Sequence, residues 1–169
     1  MNVIVHPSPV GRLHLVSDGA FLVACAFDPH DGNDEGLAHR LLREGAADLR
    51  TDAVLDLARA ELDAFFARRA RGFTVPVALR GTEFQRRVWC ALRAIPYGVT
   101  WSYGRLAEHL GDPKAVRAVG QANARNPVSI IVPCHRVIGA DGSLTGFGGG
   151  LSRKRYLLAL ERGERTVPE

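Results

Sequence analysis

At 169 residues and 46% hydrophobic, the chain suits one ordinary domain or two small ones; its apolar runs fall short of the roughly 18 residues of a membrane helix, and residues 1–7 carry no secretory pattern. Three widely spaced cysteines, Cys25, Cys90 and Cys134, with no Cys-x-x-Cys, argue against a disulfide framework or structural zinc and suit a reducing cytoplasm. The net charge of +4 is unevenly held: residues 1–79 carry 8 arginines against 11 acids, a net −3, whereas residues 80–169 reach +7, which suits a polyanion.

Residues 3–6, 12–16 and 20–27 read as strands, with Pro7 to Gly11 and Ser17 to Gly19 supplying the turns. Cys25 falls in the third and reads as a small core residue. Residues 28–36 form an acidic loop, a solvated turn rather than a metal site, and the spacing of His6, Cys25 and His30 fits no metal-ligand pattern. From Asp52 to Arg69 the apolar positions Leu55, Ala58, Leu62, Phe65 and Phe66 recur at helical spacing. Residues 73–79 read as one more strand.

Arg80 and Gly81 mark a boundary. Thr82 with Gln85 is a capping-box signature, and Phe84, Val88, Ala91, Leu92 and Ile95 form a helical stripe that Pro96 ends. Cys90 is assigned to packing. Ser102 caps a short helix through Leu106, Ala107 and Leu110, closed by Gly111, and Asp112 with Pro113 opens another. Two short helices and a tight glycine turn fit a helix-turn-helix. The second, residues 113–124, is small along its length (Ala115, Ala118, Gly120, Ala122, Ala124) with Lys114, Arg117 and Arg125 basic. It reads either as a helix shaped to approach a phosphate-bearing surface or as an alanine-rich core helix.

Residues 128–132, apolar and mostly β-branched, read as a short buried strand that Pro133 stops. Cys134, His135 and Arg136 follow where the chain leaves the core. A thiol beside a base and a cation suits nucleophilic sulfur chemistry; the alternative is a buried cysteine before a surface His-Arg pair. Thr145 to Gly150 holds four glycines, a mobile loop or a close backbone approach to a ligand, and no Walker pattern follows. A last helix, capped by Ser152 and running to Arg162, puts Lys154, Leu157, Leu158 and Glu161 on one face, with Arg153, Arg155 and Arg162 elsewhere. Glu161 either meets an inward partner, for which His135 is the candidate, or reaches solvent at the helix end.

Residues Pro133, Cys134, His135, Arg136 and Val137 resemble the active-site motif of the O6-alkylguanine-DNA alkyltransferases, also called methylated-DNA–protein-cysteine methyltransferases. The resemblance extends through Gly81 to Gln85, Ile95 to Gly98, Ser102 and Tyr103, Arg117 to Gly120, Ala122 and Asn123, Asn126 and Pro127, Ile138 and Gly139, the Gly148 to Gly150 loop and Leu157 to Glu161. It covers nearly all of residues 80–169; over residues 1–79 only an opening strand pattern and Pro9, Val10 and Gly11 match.

The resemblance implies a mixed α/β (α+β) fold. Residues 1–79 would form a ribonuclease-H-like β-sheet domain, and residues 80–169 a helical DNA-binding and alkyl-transfer domain. It implies a cytoplasmic monomer without cofactor or metal, acting on double-stranded DNA that contains O6-alkylguanine, entered from the minor groove with the base flipped out; O4-alkylthymine stays open. Cys134 would take the alkyl group, made a thiolate through a water by His135, which Glu161 orients. Tyr103 would crowd the phosphate and give a proton to the leaving guanine. Arg117 would fill the gap in the base stack, with Lys114, Ala118, Arg125 and Arg136 also meeting DNA. Asn126 would brace the turn before the thiol. Backbone groups of Cys134, Val137 and Gly148 would grip the guanine edge under Phe147.

An alkyl thioether is not hydrolysed as a thioester would be, so each molecule is expected to act once. Phe147 stands where some relatives have tyrosine, Gly148 where others have serine, and Trp101 is bulkier than the family pattern. Three rivals are a non-catalytic relative that flags alkylated DNA, a helix-turn-helix regulator with a structural Cys134, and a cysteine hydrolase. The first lacks the cysteine, the second needs longer side chains on residues 113–124 to read base edges, and the third needs an oxyanion hole and turnover.

Overall fold

The computed structural model describes residues 1–29 and 37–168, and the chain divides into two units, residues 1–78 with the last residues from Val167, and residues 79–166. The expected acidic loop therefore lies, from His30 to Gly36, outside the described residues. Among the described residues no helix is long and apolar enough to cross a membrane.

In the first unit, β1 (Asn2–His6), β2 (Leu13–Ser17) and β3 (Leu22–Phe27) form an antiparallel meander, and β4 (Asp48–Leu49) adds to β1 in parallel, giving the order β3-β2-β1-β4. Helices α1 (Leu37–Arg43) and α2 (Ala53–Phe66) lie on this sheet. The stripe of α2, with Leu55, Ala58, Leu62 and Phe65 buried, closes a core with Leu13, Leu15, Leu22 and Cys25, while Val3, Val16 and Ala24 pack with Leu41 and Leu42 of α1. Asp52 starts α2: its carboxylate accepts from Leu55 N at 2.9 Å, Asn2 Nδ2 at 2.7 Å and the Ser17 hydroxyl, joining helix to sheet. Burial alone would raise its pKa, but these donors together lower it.

Two expectations need correction here. Residues 73–79 are not a strand but make an isolated bridge, Val77 to Leu22. The cause is local: Pro76 has no N–H to give, and the Thr74 and Val75 amides are taken by Glu61 of α2 at 2.8 and 3.0 Å. Helix α2 stops at Phe66 rather than Arg69, because Arg68 turns to φ +56° and the Arg69 amide bonds back to Ala64. Helix α1 and strand β4 were not foreseen.

In the second unit, α3 (Glu83–Leu92) carries the reciprocal Thr82–Gln85 capping box. Its Trp89 is buried and donates to the Ala122 carbonyl at 2.8 Å. A Cβ on Gly81 would lie 2.6 Å from that indole, so a residue without a side chain is required there. Cys90, assigned to packing, is exposed on the opposite side of α3. Strand β5 (Trp101–Ser102) leads into α4 (Tyr103–His109), capped by the Ser102 hydroxyl on Arg105 N at 3.0 Å. Gly111, at φ +79°, then turns the chain toward α5 (Val116–Ala124). The expected start at Pro113 is early by three residues; Asp112 caps no helix, and its carbonyl holds Ala115 N in a turn instead. Helix α6 (Leu151–Glu161) likewise begins at Gly150 and not through a Ser152 cap.

Val128 and Ile130 to Val132 are buried as expected, with Ser129 half-buried, yet residues 128–132 are not a strand. Val132 N bonds to Val128 O at 3.0 Å, and Ile130 sits at φ +71°, a strained position for a β-branched residue. The Asn126 side chain holds this curl, accepting from Val128 N at 3.0 Å and donating to Val132 O at 2.8 Å. The paired strand is instead β6 (Val137–Ile138), parallel to β5 through Trp101–Val137 and Ser102–Ile138.

Candidate active site

Cys134 opens a single 3-10 turn, Cys134–Arg136, between the Asn126-braced curl and β6. It is 3% exposed, its amide bonds to Val132 O at 2.8 Å, and its carbonyl accepts from Asn123 Nδ2 of α5 at 3.4 Å. Burial pushes the thiol up, opposed first by the Asn126 amide and then by the positive charge of Lys154. The resting sulfur is therefore protonated, and a nearby base is needed to free it.

That base has a defined tautomer. Buried His135 bonds through Nε2 to Glu161 Oε1 at 2.7 Å. Arg136 grips the same carboxylate, Nε to Oε2 at 3.0 Å and Nη2 to Oε1 at 2.8 Å, while Gly98 N reaches Oε2 at 3.1 Å. Burial would raise the Glu161 pKa, but His135 and Arg136 together bring it down to about 2. An ionised carboxylate only accepts, so the imidazole proton lies on Nε2 and the lone pair on Nδ1. Burial also keeps His135 below its ordinary value, hence neutral, with the carboxylate pulling the other way. Its Nδ1 is buried without a hydrogen-bond partner among the described residues. The arrangement is a neutral imidazole next in the chain to the thiol, with an Arg-clamped carboxylate behind it.

Arg136 is the main correction at this site. Grouped above with the DNA-facing cations, it is 7% exposed, spends its nitrogens on Glu161 and gives Nη1 to Ile95 O at 2.7 Å. Its guanidinium also lies 5.7 Å from the Tyr97 ring centre. A buried carboxylate needs a cation with a planar fork, and Arg136 is the one in reach.

Opposite the thiol, Tyr103 donates its hydroxyl to Thr145 O at 2.8 Å. Burial raises the phenol, so it keeps its proton at neutral pH. The glycine loop is held to two helices: a Cβ on Gly146, at φ +65°, would lie 3.0 Å from the Tyr103 hydroxyl, and one on Gly148 would lie 3.1 Å from Ala124 O. Phe147 is half-buried in that loop and Gly148 exposed, while Val137 is buried in β6. Lys154 was placed on the inward face of α6 but given no role; its Nζ bonds to Val137 O and Thr145 O. A lysine among leucines could have been the signal, since only a satisfied ammonium is tolerated there. Asn123, buried against Cys134, was likewise passed over.

Helix α5 buries Val119, Ala122 and Asn123 and exposes Arg117, Ala118, Gln121, Ala124 and, just beyond it, Arg125; Lys114 is exposed before it. Of its small residues, Ala118 and Ala124 are exposed, Ala115 and Gly120 half-buried and Ala122 buried, so the helix is only partly a core helix. Trp101 is buried in β5, with the Arg105 guanidinium 4.7 Å over its ring and His109 beside it. Among the described residues no group of three His, Cys, Asp or Glu is placed to hold a metal ion.

The profile of a family described as "6-O-methylguanine DNA methyltransferase, DNA binding domain" matches residues 83–163. A methylated-DNA–protein-cysteine methyltransferase of Mycolicibacterium paratuberculosis is 63% identical over 102 residues, 60% of this chain and 62% of the relative. The chain thus spans about 62% of the length of such mycobacterial relatives. One of the same name from Haemophilus influenzae is 42% identical over 158 residues, covering 93% of this chain and 84% of the relative. A crystal structure of Mycobacterium tuberculosis OGT in complex with DNA superposes with a TM-score of 0.85 at 43% identity, over 98% of this chain and 96% of that one. With matches at 42–43% identity that extend over both units, the chain belongs to the methylated-DNA–protein-cysteine methyltransferase family.

Proposed function

We propose that this protein repairs duplex DNA by moving the alkyl group of O6-alkylguanine onto Cys134, once per molecule. The observation that carries the reading is the buried thiol joined in one turn to a neutral His135, whose lone-pair nitrogen is aimed by an ionised Glu161. The thiol proton passes through a water to His135 Nδ1. Sulfur then forms a bond to the alkyl carbon as the bond from that carbon to O6 breaks. The electron pair stays on the purine, which takes a proton from Tyr103. Backbone groups of Cys134, Val137 and Gly148 meet the guanine edge, and Phe147 lies over the base. Asn126 keeps the thiol turn in shape.

Residues 80–169 supply both the DNA contact and the chemistry. Helix α5 enters the minor groove with its small outer face, Ala118 allowing close approach and Lys114 and Arg125 meeting phosphate. Arg117 takes the space vacated by the flipped base, whose extrusion costs a few kcal/mol. The exposed, small and basic surface of α5 supports this over a regulator that reads base edges in the major groove.

Intact-mass measurement tests the proposal. After incubation with a duplex containing O6-methylguanine, the protein should gain one methyl group, located on Cys134, and gain no more from fresh duplex. Cys134→Ala should gain none. An unchanged mass for the wild-type protein refutes the reading.

A further inference from the structure

One buried cation of the second unit has no part in the proton path. Lys154 is fully buried on α6, its Nζ 2.5 Å from Val137 O in the strand leaving Cys134 and 2.9 Å from Thr145 O in the glycine loop. It lies 5.9 Å from the centres of both the Tyr103 and Phe147 rings. Carbonyl oxygens solvate an ammonium without neutralising it, and a buried charge without a counter-charge is costly. Glu161, the buried carboxylate of the site, is already matched by Arg136. Arg153, also buried on α6, turns to the loop at Gly149 O. Among the described residues the charges of Cys134 and Lys154 act on each other, and Lys154 also opposes a proton on His135. With Glu161 offset by Arg136, Lys154 and Cys134 together carry +1 when the sulfur is a thiol and zero once its proton has left the pair for His135 or solvent.

We infer that Lys154 is the counter-ion of the Cys134 thiolate, a positioning residue that acts through the sulfur and is held there by the Val137 and Thr145 carbonyls. The groups that act on the sulfur are Lys154 from α6, Asn126 and Ser129 from the preceding curl, and Tyr103 from α4. Burial brings the ammonium down to about 8, with the negative charge of Cys134 opposing the fall. The effect on transfer rate rests on the alkyl-transfer reading, whereas the ion pair does not.

Two measurements test this. The first titrates Cys134 by thiolate ultraviolet absorbance, with Cys134→Ser subtracting Cys25 and Cys90; it needs no DNA, and so decides even if the duplex leaves the protein's mass unchanged. Lys154→Met should move the titration to higher pH, and Lys154→Arg should leave it near the wild-type position. The second follows methyl transfer against pH. The wild-type rate should climb as the thiolate forms and fall above about 8 as the ammonium discharges. Lys154→Met should be slower by about tenfold or more at neutral pH, since an opposite charge at close range favours the ionised form by that order. Both variants should lose the alkaline fall. A Lys154→Met protein that melts at lower temperature yet keeps the wild-type thiol titration would overturn the assignment and leave Lys154 as a loop anchor. If Lys154→Met does not fold, Lys154→Arg decides: an alkaline fall retained there overturns the pair, and its loss upholds it.

Discussion

One guanidinium sets the state of two other side chains in the second unit. Arg136 neutralises Glu161, and the ionised Glu161 in turn puts the imidazole proton of His135 on Nε2. Arg136→Met would leave a buried carboxylate with His135 and the Gly98 amide alone. The expected loss is about 3–5 kcal/mol in denaturant unfolding, and Glu161→Gln in that background should recover part of it. Acid should act on the same group. Glu161 is lowered from 4.5 to about 2, so its stabilisation is full above 4.5 and is lost as pH falls toward 2. His135 is also lowered, from 6.5, so the unfolded chain binds its proton first and stability declines once pH drops below 6.5. Melting temperature measured against pH should show both losses, and Glu161→Gln should remove the lower one.

Helix α5 and the start of α3 show two uses of small residues. Gly81 is small because the Trp89 indole occupies the place of its Cβ; Gly81→Ala should cost about 1–3 kcal/mol in thermal or denaturant unfolding. Ala118 is small while facing outward, where packing asks nothing of it. Ala118→Leu should therefore leave stability within about 0.5 kcal/mol of wild type, while weakening duplex binding in a fluorescence anisotropy titration. Arg117→Ala should likewise be stable. It should slow methyl transfer from duplex by about 10- to 100-fold, on the scale of the few kcal/mol of base extrusion, and spare transfer from the free alkylated base.

Over the whole chain the charge is divided, with −3 on residues 1–79 and +7 on residues 80–169. Duplex affinity should fall steeply with salt, and Lys114→Ala should reduce the slope of log affinity against log salt by about 0.9 if it meets one phosphate. Each unit closes its own core. In the first, Asp52 starts a helix and bonds to two strands at once, which joins local capping to tertiary packing in a single carboxylate.

Much of this protein could be read from the order of its residues alone. The capping box at Thr82, the Ser102 cap, the stripe of α2 and the inward face of Glu161 are short-range patterns, set by contacts a few residues apart. The family was legible because a cysteine, a histidine, an arginine and a glutamate chain stand at fixed spacings. Tertiary structure alone decided the rest. Residues 128–132 are apolar enough for a strand, but the Asn126 amide curls them. Residues 73–79 could pair as a strand, but Glu61 takes their amides. Arg136 looks like a surface cation, and Lys154 like one more charge on a helix, until a distant carboxylate and two carbonyls claim them. Local pattern specifies which backbone a segment prefers, whereas the partner of a buried charge or amide is chosen by whatever the fold brings within hydrogen-bond reach.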